Sequence, residues 1–184
     1  MDALSLLTAD HNEVEKHFKD FEKAGDRAYA TKGKAVDAMI GGLSVHAVIE
    51  ELIFYPAARR ASTNSTAMVL ESLEEHHIVK WVLSELVDMK PTDERFDAKV
   101  TVLIENVRHH VKEEEQDLFP KIRDALSEEH LAELGEQLEA AKKIAPTRPH
   151  PRSPDTPPGN LFAGLVAGGA DKARDILKAV IPKG

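Results

Sequence analysis

His46-Ala47-Val48-Ile49-Glu50-Glu51-Leu52-Ile53-Phe54-Tyr55-Pro56 lines up without a gap against His110-Val111-Lys112-Glu113-Glu114-Glu115-Gln116-Asp117-Leu118-Phe119-Pro120. Four of the eleven positions are identical, the His, both Glu and the Pro, and apolar residues match just before each proline. Upstream, Asp10-His11 precedes His46 by 35 residues and Glu75-His76 precedes His110 by 34. The chain therefore contains one helix pair written twice, each copy carrying a lone His and then a His-x-x-x-Glu. A period of about 64 residues is long for a solenoid and suits a duplicated pair closing into one bundle.

The composition agrees with helices. Six Phe, two Tyr and one Trp in 184 residues leave no aromatic and β-branched clusters of the kind that build strands. The absence of cysteine excludes disulfides, zinc knuckles and thiol catalysis. A net charge of −8 argues against nucleic acid as a partner, because the phosphate backbone needs a basic face. Apolar runs are interrupted by charge, so no membrane span is expected, and with no basic-then-apolar leader the expected location is cytoplasmic.

Periodicity and punctuation predict helices over about Ala3 to Lys23, Lys34 to Arg60, Thr66 to Met89 and Thr92-Asp93 to Ala125. Thr92-Asp93 offers an N-cap to the fourth. A shorter fifth helix is expected after Ser127, fading near Ile144. The expected architecture is all-α, an up-down four-helix bundle over 1–145 with that short fifth helix. Six prolines then fall between Pro146 and Pro158, marking an extended linker over 146–160. A short amphipathic segment is expected over 161–184.

The position of each His and Glu on its helix separates ligands from surface residues. The seams read Leu7, His11, Val14, Phe18, Phe21, then Val36, Met39, Leu43, His46, Glu50, Ile53. The second pair reads Val69, Leu73, His76, Val79, Leu83, Leu86, then Phe96, Val100, Leu103, Val107, His110, Glu114, Leu118. Steps of three or four residues define an inward face. Each seam is apolar except for one His or one His/Glu pair near its middle, so four imidazoles and two carboxylates are predicted to share one core layer. Two like-charged carboxylates there repel unless a cation lies between them. Histidine and carboxylate without sulfur suit iron, manganese or zinc. The duplicated set suggests two ions, with Glu50 and Glu114 as candidate bridges.

The same test places His77 and His109 on polar faces. It puts His17 about 120° round from His11, on the rim, and leaves His130 and His150 outside the bundle, facing solvent. Tyr55, about 140° round the helix from Glu50, reads as a packing residue rather than a ligand.

These motifs, Asp10-His11, His46-x-x-x-Glu50-Glu51 with Phe54-Tyr55-Pro56, Glu75-His76, and His110-x-x-x-Glu114-Glu115 with Leu118-Phe119-Pro120, resemble the hemerythrin-like, His-His-Glu cation-binding family over about residues 1–125. The proline-rich tail resembles the extension of actinobacterial members. The resemblance implies a bridged centre of two non-haem iron ions, with zinc or manganese as alternatives. Its ligands would be His11, His46, Glu50, His76, His110 and Glu114. It implies reaction with peroxide, nitric oxide or dioxygen, the chemistry of oxidative or nitrosative stress. Oxygen-carrying members place a further His one turn after the third-helix ligand, where this chain has Lys80, or Trp81 if His77 is the ligand. That departure points away from reversible oxygen carriage and toward peroxide or nitric oxide chemistry, iron sensing or storage. The ferritin-like pattern of paired Glu-x-x-His motifs is met only by Glu74/His77.

Two roles follow as expectations. One is a metal centre with catalase-like turnover, taking peroxide or a diatomic as its small partner. The other is an iron- or oxygen-sensing protein whose C-terminal segment engages a partner or a second copy.

Overall fold

The structure, a computed structural model, describes residues 1–153 and Asp171. The described part of the chain forms five helices and no strand: α1 (Ala3–Lys23), α2 (Tyr29–Ala61), α3 (Thr66–Leu86), α4 (residues 96–125) and α5 (Glu128–Lys142). Short turns join consecutive helices, α1 packs along α2 and α3 along α4, and α5 lies across α1 and α2. The amphipathic segment expected over 161–184 lies, Asp171 apart, outside the described residues, as does the linker beyond Ser153. The described part of the linker is irregular, and its first residue, Pro146, is buried.

Local chemistry explains the helix ends. The Asp2 carboxylate caps α1 by accepting from the Ser5 N–H, and the Ser127 hydroxyl caps α5 by accepting from the His130 N–H. Asp93 does not cap α4. Its carboxylate accepts from the Lys90 N–H and closes a turn after Pro91, so the helix starts at Phe96 instead of Thr92-Asp93. The third helix likewise ends at Leu86 rather than Met89, and the second begins at Tyr29, earlier than Lys34. Gly135 brings α5 onto the N-terminus. A Cβ there would stand 2.2 Å from the Met1 carbonyl oxygen.

Both long inner helices widen at equivalent places. Residues Glu50–Phe54 in α2 and Glu114–Leu118 in α4 form π-helical turns, closed by N–H groups of Tyr55 and Phe119 donating to the carbonyls of Glu50 and Glu114. Pro56 and Pro120 follow at once. A proline lacks the N–H that would bond four residues back, and its ring crowds that carbonyl. A wider turn relieves the crowding and keeps the helix going for another seven residues in each case.

The core has two apolar halves. One gathers Leu4, Leu7, Ile49, Phe54, Val69, Leu118, Phe119, Ile122 and Leu138. The other gathers Val14, Phe18, Val36, Met39, Val79, Leu83, Phe96, Val100 and Val107. The predicted seam residues are buried with one exception, Ile53, which is half-buried. The π turn rotates Phe54 and Tyr55 onto the core face in its place. Helix α2 contains a window apolar enough to cross a membrane, with a mean hydropathy of 1.4, but 61 % of that window is buried within the bundle.

Candidate metal centre

Between the two apolar halves lies a polar layer, buried at every position: His11, His46, Glu50, His76, His110 and Glu114, each at most 7 % exposed. The structure brings together all six residues singled out in the sequence. Their histidines form two pairs. Nε2 of His11 stands 3.1 Å from Nε2 of His46, and Nε2 of His76 stands 3.2 Å from Nε2 of His110. Each glutamate reaches across both pairs. Glu50 Oε2 lies 3.1 Å from His46 Nε2 and 3.3 Å from His76 Nε2. Glu114 Oε2 lies 3.5 Å from His11 Nε2 and 3.6 Å from His110 Nε2.

The far side of the imidazoles is also organised. His11 Nδ1 lies 2.8 Å from Glu115, His76 Nδ1 3.1 Å from Glu51, and His110 Nδ1 2.7 Å from Glu75. His46 Nδ1 is 3.7 Å from Asp10, beyond hydrogen-bonding reach. A carboxylate on Nδ1 fixes the ring and leaves Nε2 as the free donor atom, the arrangement that orients metal-ligating histidines. Asp10, Glu51, Glu75 and Glu115 have no assigned role in the sequence pattern. Their direct adjacency to a ligand His or Glu was the available signal. Two of these supports cross between repeats, Glu51 to His76 and Glu115 to His11.

Lys80 is buried and donates to both carboxylate oxygens of Glu51, at 2.8 and 2.9 Å. It is turned away from the histidine pair and secures the support of His76. The place left beside His76 is taken by Tyr55, which corrects its reading as a packing residue. Its hydroxyl lies 2.9 Å from Glu114 Oε1, 3.2 Å from His76 Nε2 and 3.4 Å from Glu50 Oε2. An unbroken α-helix puts Tyr55 about 140° from Glu50. The extra residue in the π turn takes up roughly 100° of this, returning the ring to the ligand face. Its counterpart Phe119 stacks on His11, with ring centroids 6.0 Å apart and planes at 9°.

The other histidines take their expected places, and one of them also gains a partner. His77 and His109 are exposed, His109 lying 3.3 Å from Glu113, and His130 is exposed at the start of α5. His17 lies at the mouth of the cavity described below. His150 does not face solvent freely: its Nε2 lies 3.2 Å from the buried carboxylate of Asp171, which also accepts from the Arg148 N–H.

Electrostatics show how strongly the layer attracts positive charge. Burial alone would lower the pKa of His46, yet the charge and hydrogen bond of Glu50, with Asp10, push it up to about 10. Burial is likewise outweighed at His76, pushed up to about 9 by Glu50 and Glu51. Glu50 is held well below the usual carboxylate range by His46 and His76, against the effect of burial. Glu50 Oε1 and Glu114 Oε2 are buried and accept no hydrogen bond from any protein group. Such oxygens are costly unless a cation or donor meets them. Imidazole nitrogens 3.1–3.2 Å apart also match neighbouring ligands of one ion, since bonds of about 2.1 Å at a right angle put the two nitrogens about 3 Å apart. The residues fit a pair of cations. His11 and His46 with Glu50 and Glu114 form one ligand group, and Glu50 with His76 and His110 forms the other.

Comparison with known proteins agrees. The family profile of the hemerythrin HHE cation-binding domain matches residues 2–122. A hemerythrin-like protein of Schizosaccharomyces pombe is 31 % identical over 92 % of this chain and 83 % of its own length. A Nostoc protein named as a DNA nickase is 28 % identical over 77 % of this chain, which spans only 39 % of that protein. The crystal structure of an HHE cation-binding domain-containing protein from Mycobacterium kansasii superposes with a TM-score of 0.65 at 23 % identity, covering 78 % of this chain and 86 % of that one. The chain belongs to the hemerythrin family of HHE cation-binding domains.

Proposed function

We propose that this protein holds two iron ions in the layer and dismutates hydrogen peroxide to water and dioxygen. The observation that supports this best is the position of Glu50 and Glu114, each within reach of imidazoles from both pairs. His11, His46, His76, His110, Glu50 and Glu114 would hold the ions. Bound iron would supply the oxidation–reduction chemistry. The protein contributes three things. The carboxylates on Nδ1 of His11, His76 and His110 fix ring orientation. The two apolar halves enclose the layer above and below. The Tyr55 hydroxyl, whose pKa is pushed well above 10 by burial and by the charges of Glu114 and Glu50, holds a proton on one side of the layer. Cleaving an O–O bond to water needs such a proton, and Phe119 offers none on the other side.

Iron-loaded protein is expected to evolve oxygen from hydrogen peroxide at an oxygen electrode, and His46→Ala or Glu114→Ala to abolish it. Turnover persisting in both variants would sink the proposal. A second reading is a sensor acting through a protein partner or a second copy. It rests on Lys142 and Thr147, which place the exit of α5 and the start of the linker on the wall of the cavity that reaches the histidines. Deleting the chain after Ile144 separates the two: intact peroxide turnover with lost association favours the sensor.

A further inference from the structure

A cavity of about 350 Å³ runs from the seam between α1 and α2 down to His11, His46, His76 and His110. Its inner walls are Val14, Leu43, Val79 and Val107, and its mouth is rimmed by His17 with Gly41 and Gly42. The ions held by its four histidines would fill part of it; what remains, roughly 300 Å³ if each takes the space of a water molecule, is still out of proportion to a diatomic gas or hydrogen peroxide. Liquid water occupies about 30 Å³ per molecule, and a dry cavity of about 150 Å³ already accepts benzene. About ten non-hydrogen atoms fit here.

Two further observations bear on an occupant. Gly41 and Gly42 stand inside a helix, where each glycine costs about 1 kcal/mol relative to alanine. A Cβ at either would meet nothing within 4 Å, so close packing does not explain them, and their effect is to leave the mouth clear. The second observation is His46 Nδ1, a buried nitrogen with no hydrogen-bond partner. The other three ligand histidines have a carboxylate on Nδ1 at 2.7–3.1 Å, whereas Asp10 stops 3.7 Å short of His46. Both His46 and Asp10 line the cavity. A ligand hydroxyl beside them can accept from one and donate to the other. The charged groups at the mouth are already matched, Lys142 with Asp10 and Glu13 with Lys16. Among the described residues, the mouth therefore offers an anionic ligand no spare side-chain cation.

The geometry points to this cavity as the binding site of a neutral, chiefly hydrocarbon molecule of about ten non-hydrogen atoms, with a hydroxyl placed between His46 Nδ1 and Asp10. The probe is cumyl alcohol, a compact aromatic alcohol of that size, titrated calorimetrically into the metal-loaded full chain. Saturable one-to-one binding is expected, weakened at least tenfold by Gly42→Leu or Gly41→Leu, each of which adds a branched side chain to the lining. No saturable binding by the unsubstituted protein, or undiminished binding in both variants, overturns the proposal. Crystals of the unsubstituted protein soaked in the alcohol give a test that does not depend on a variant folding. Density between Val14, Val79 and Val107 supports the site, and density elsewhere or none overturns it. Peroxide turnover without alcohol binding sinks this inference alone, and the reverse result sinks only the proposed function.

Discussion

The two repeats of the bundle use the same parts and finish them differently. His11, His46, Glu50, Glu51 and Tyr55 in the first correspond to His76, His110, Glu114, Glu115 and Phe119 in the second. Around His76 the supports are tight: Glu51 is 4 % exposed and held by Lys80, and the Tyr55 hydroxyl sits against the ring. Around His11 the support is looser. Glu115 is 36 % exposed, the position matching Lys80 is Glu15, which pairs outward with Arg108, and the ring meets Phe119. Duplication supplies a symmetric cage, and a few later differences make its two ends chemically unequal: one rigid with a proton at hand, the other apolar and more open.

The comparison breaks most severely if the shared part is removed. Glu114→Ala takes away one of the two carboxylates that span both pairs, and is expected to lower bound metal below two ions per chain and oxygen evolution at least a hundredfold, by metal analysis and electrode. Lys80→Ala tests the tighter end. It strips the lysine cation from a buried carboxylate, and the expected destabilisation is about 3 kcal/mol in urea denaturation. Glu15→Ala at the matching position is expected to change stability by less than about 1 kcal/mol, because its ion pair is on the surface.

Tyr55→Phe makes the two ends alike. It is expected to slow peroxide turnover by about a hundredfold with metal content unchanged, and a loss of metal instead would make the hydroxyl a ligand first. A pH series sharpens the same point. In metal-stripped protein His46 and His76 have folded pKa values raised to about 10 and about 9, above their unfolded values. Their stabilisation is complete below about pH 6.5 and lost as pH rises through those values. Melting temperature of the stripped protein should therefore fall from neutral to alkaline pH. Metal-loaded protein should resist that fall, since the ions replace the protons. The smallest effect is expected of His77→Ala and His109→Ala, exposed doublet partners whose loss should leave metal content unaltered and shift stability by less than about 0.5 kcal/mol.

Much of this was legible in the chain itself. A three-and-four spacing of apolar residues interrupted once per helix names the inward face, because side-chain direction on a helix is fixed by its repeat. The gapless match of His46–Pro56 with His110–Pro120 shows the pairing of helices. What escaped was whatever depended on departures from that repeat or on contacts between distant segments. Tyr55 was misplaced because the rotation per residue changes through the π turn before Pro56. The pairing of His150 with Asp171 escaped because the two are 21 residues apart along the chain.

The sequence by itself determined the helices, the polar layer and the six residues that fill it, since each follows from local periodicity. Only the tertiary structure decided that Glu51 and Glu115 serve histidines of the opposite repeat, that Lys80 secures a support, that Tyr55 enters the layer, and that a cavity reaches it. Apart from Tyr55, which the π turn of its own helix swings inward, those depend on which helices meet and at what depth. Packing fixes both, and no spacing along one helix encodes them.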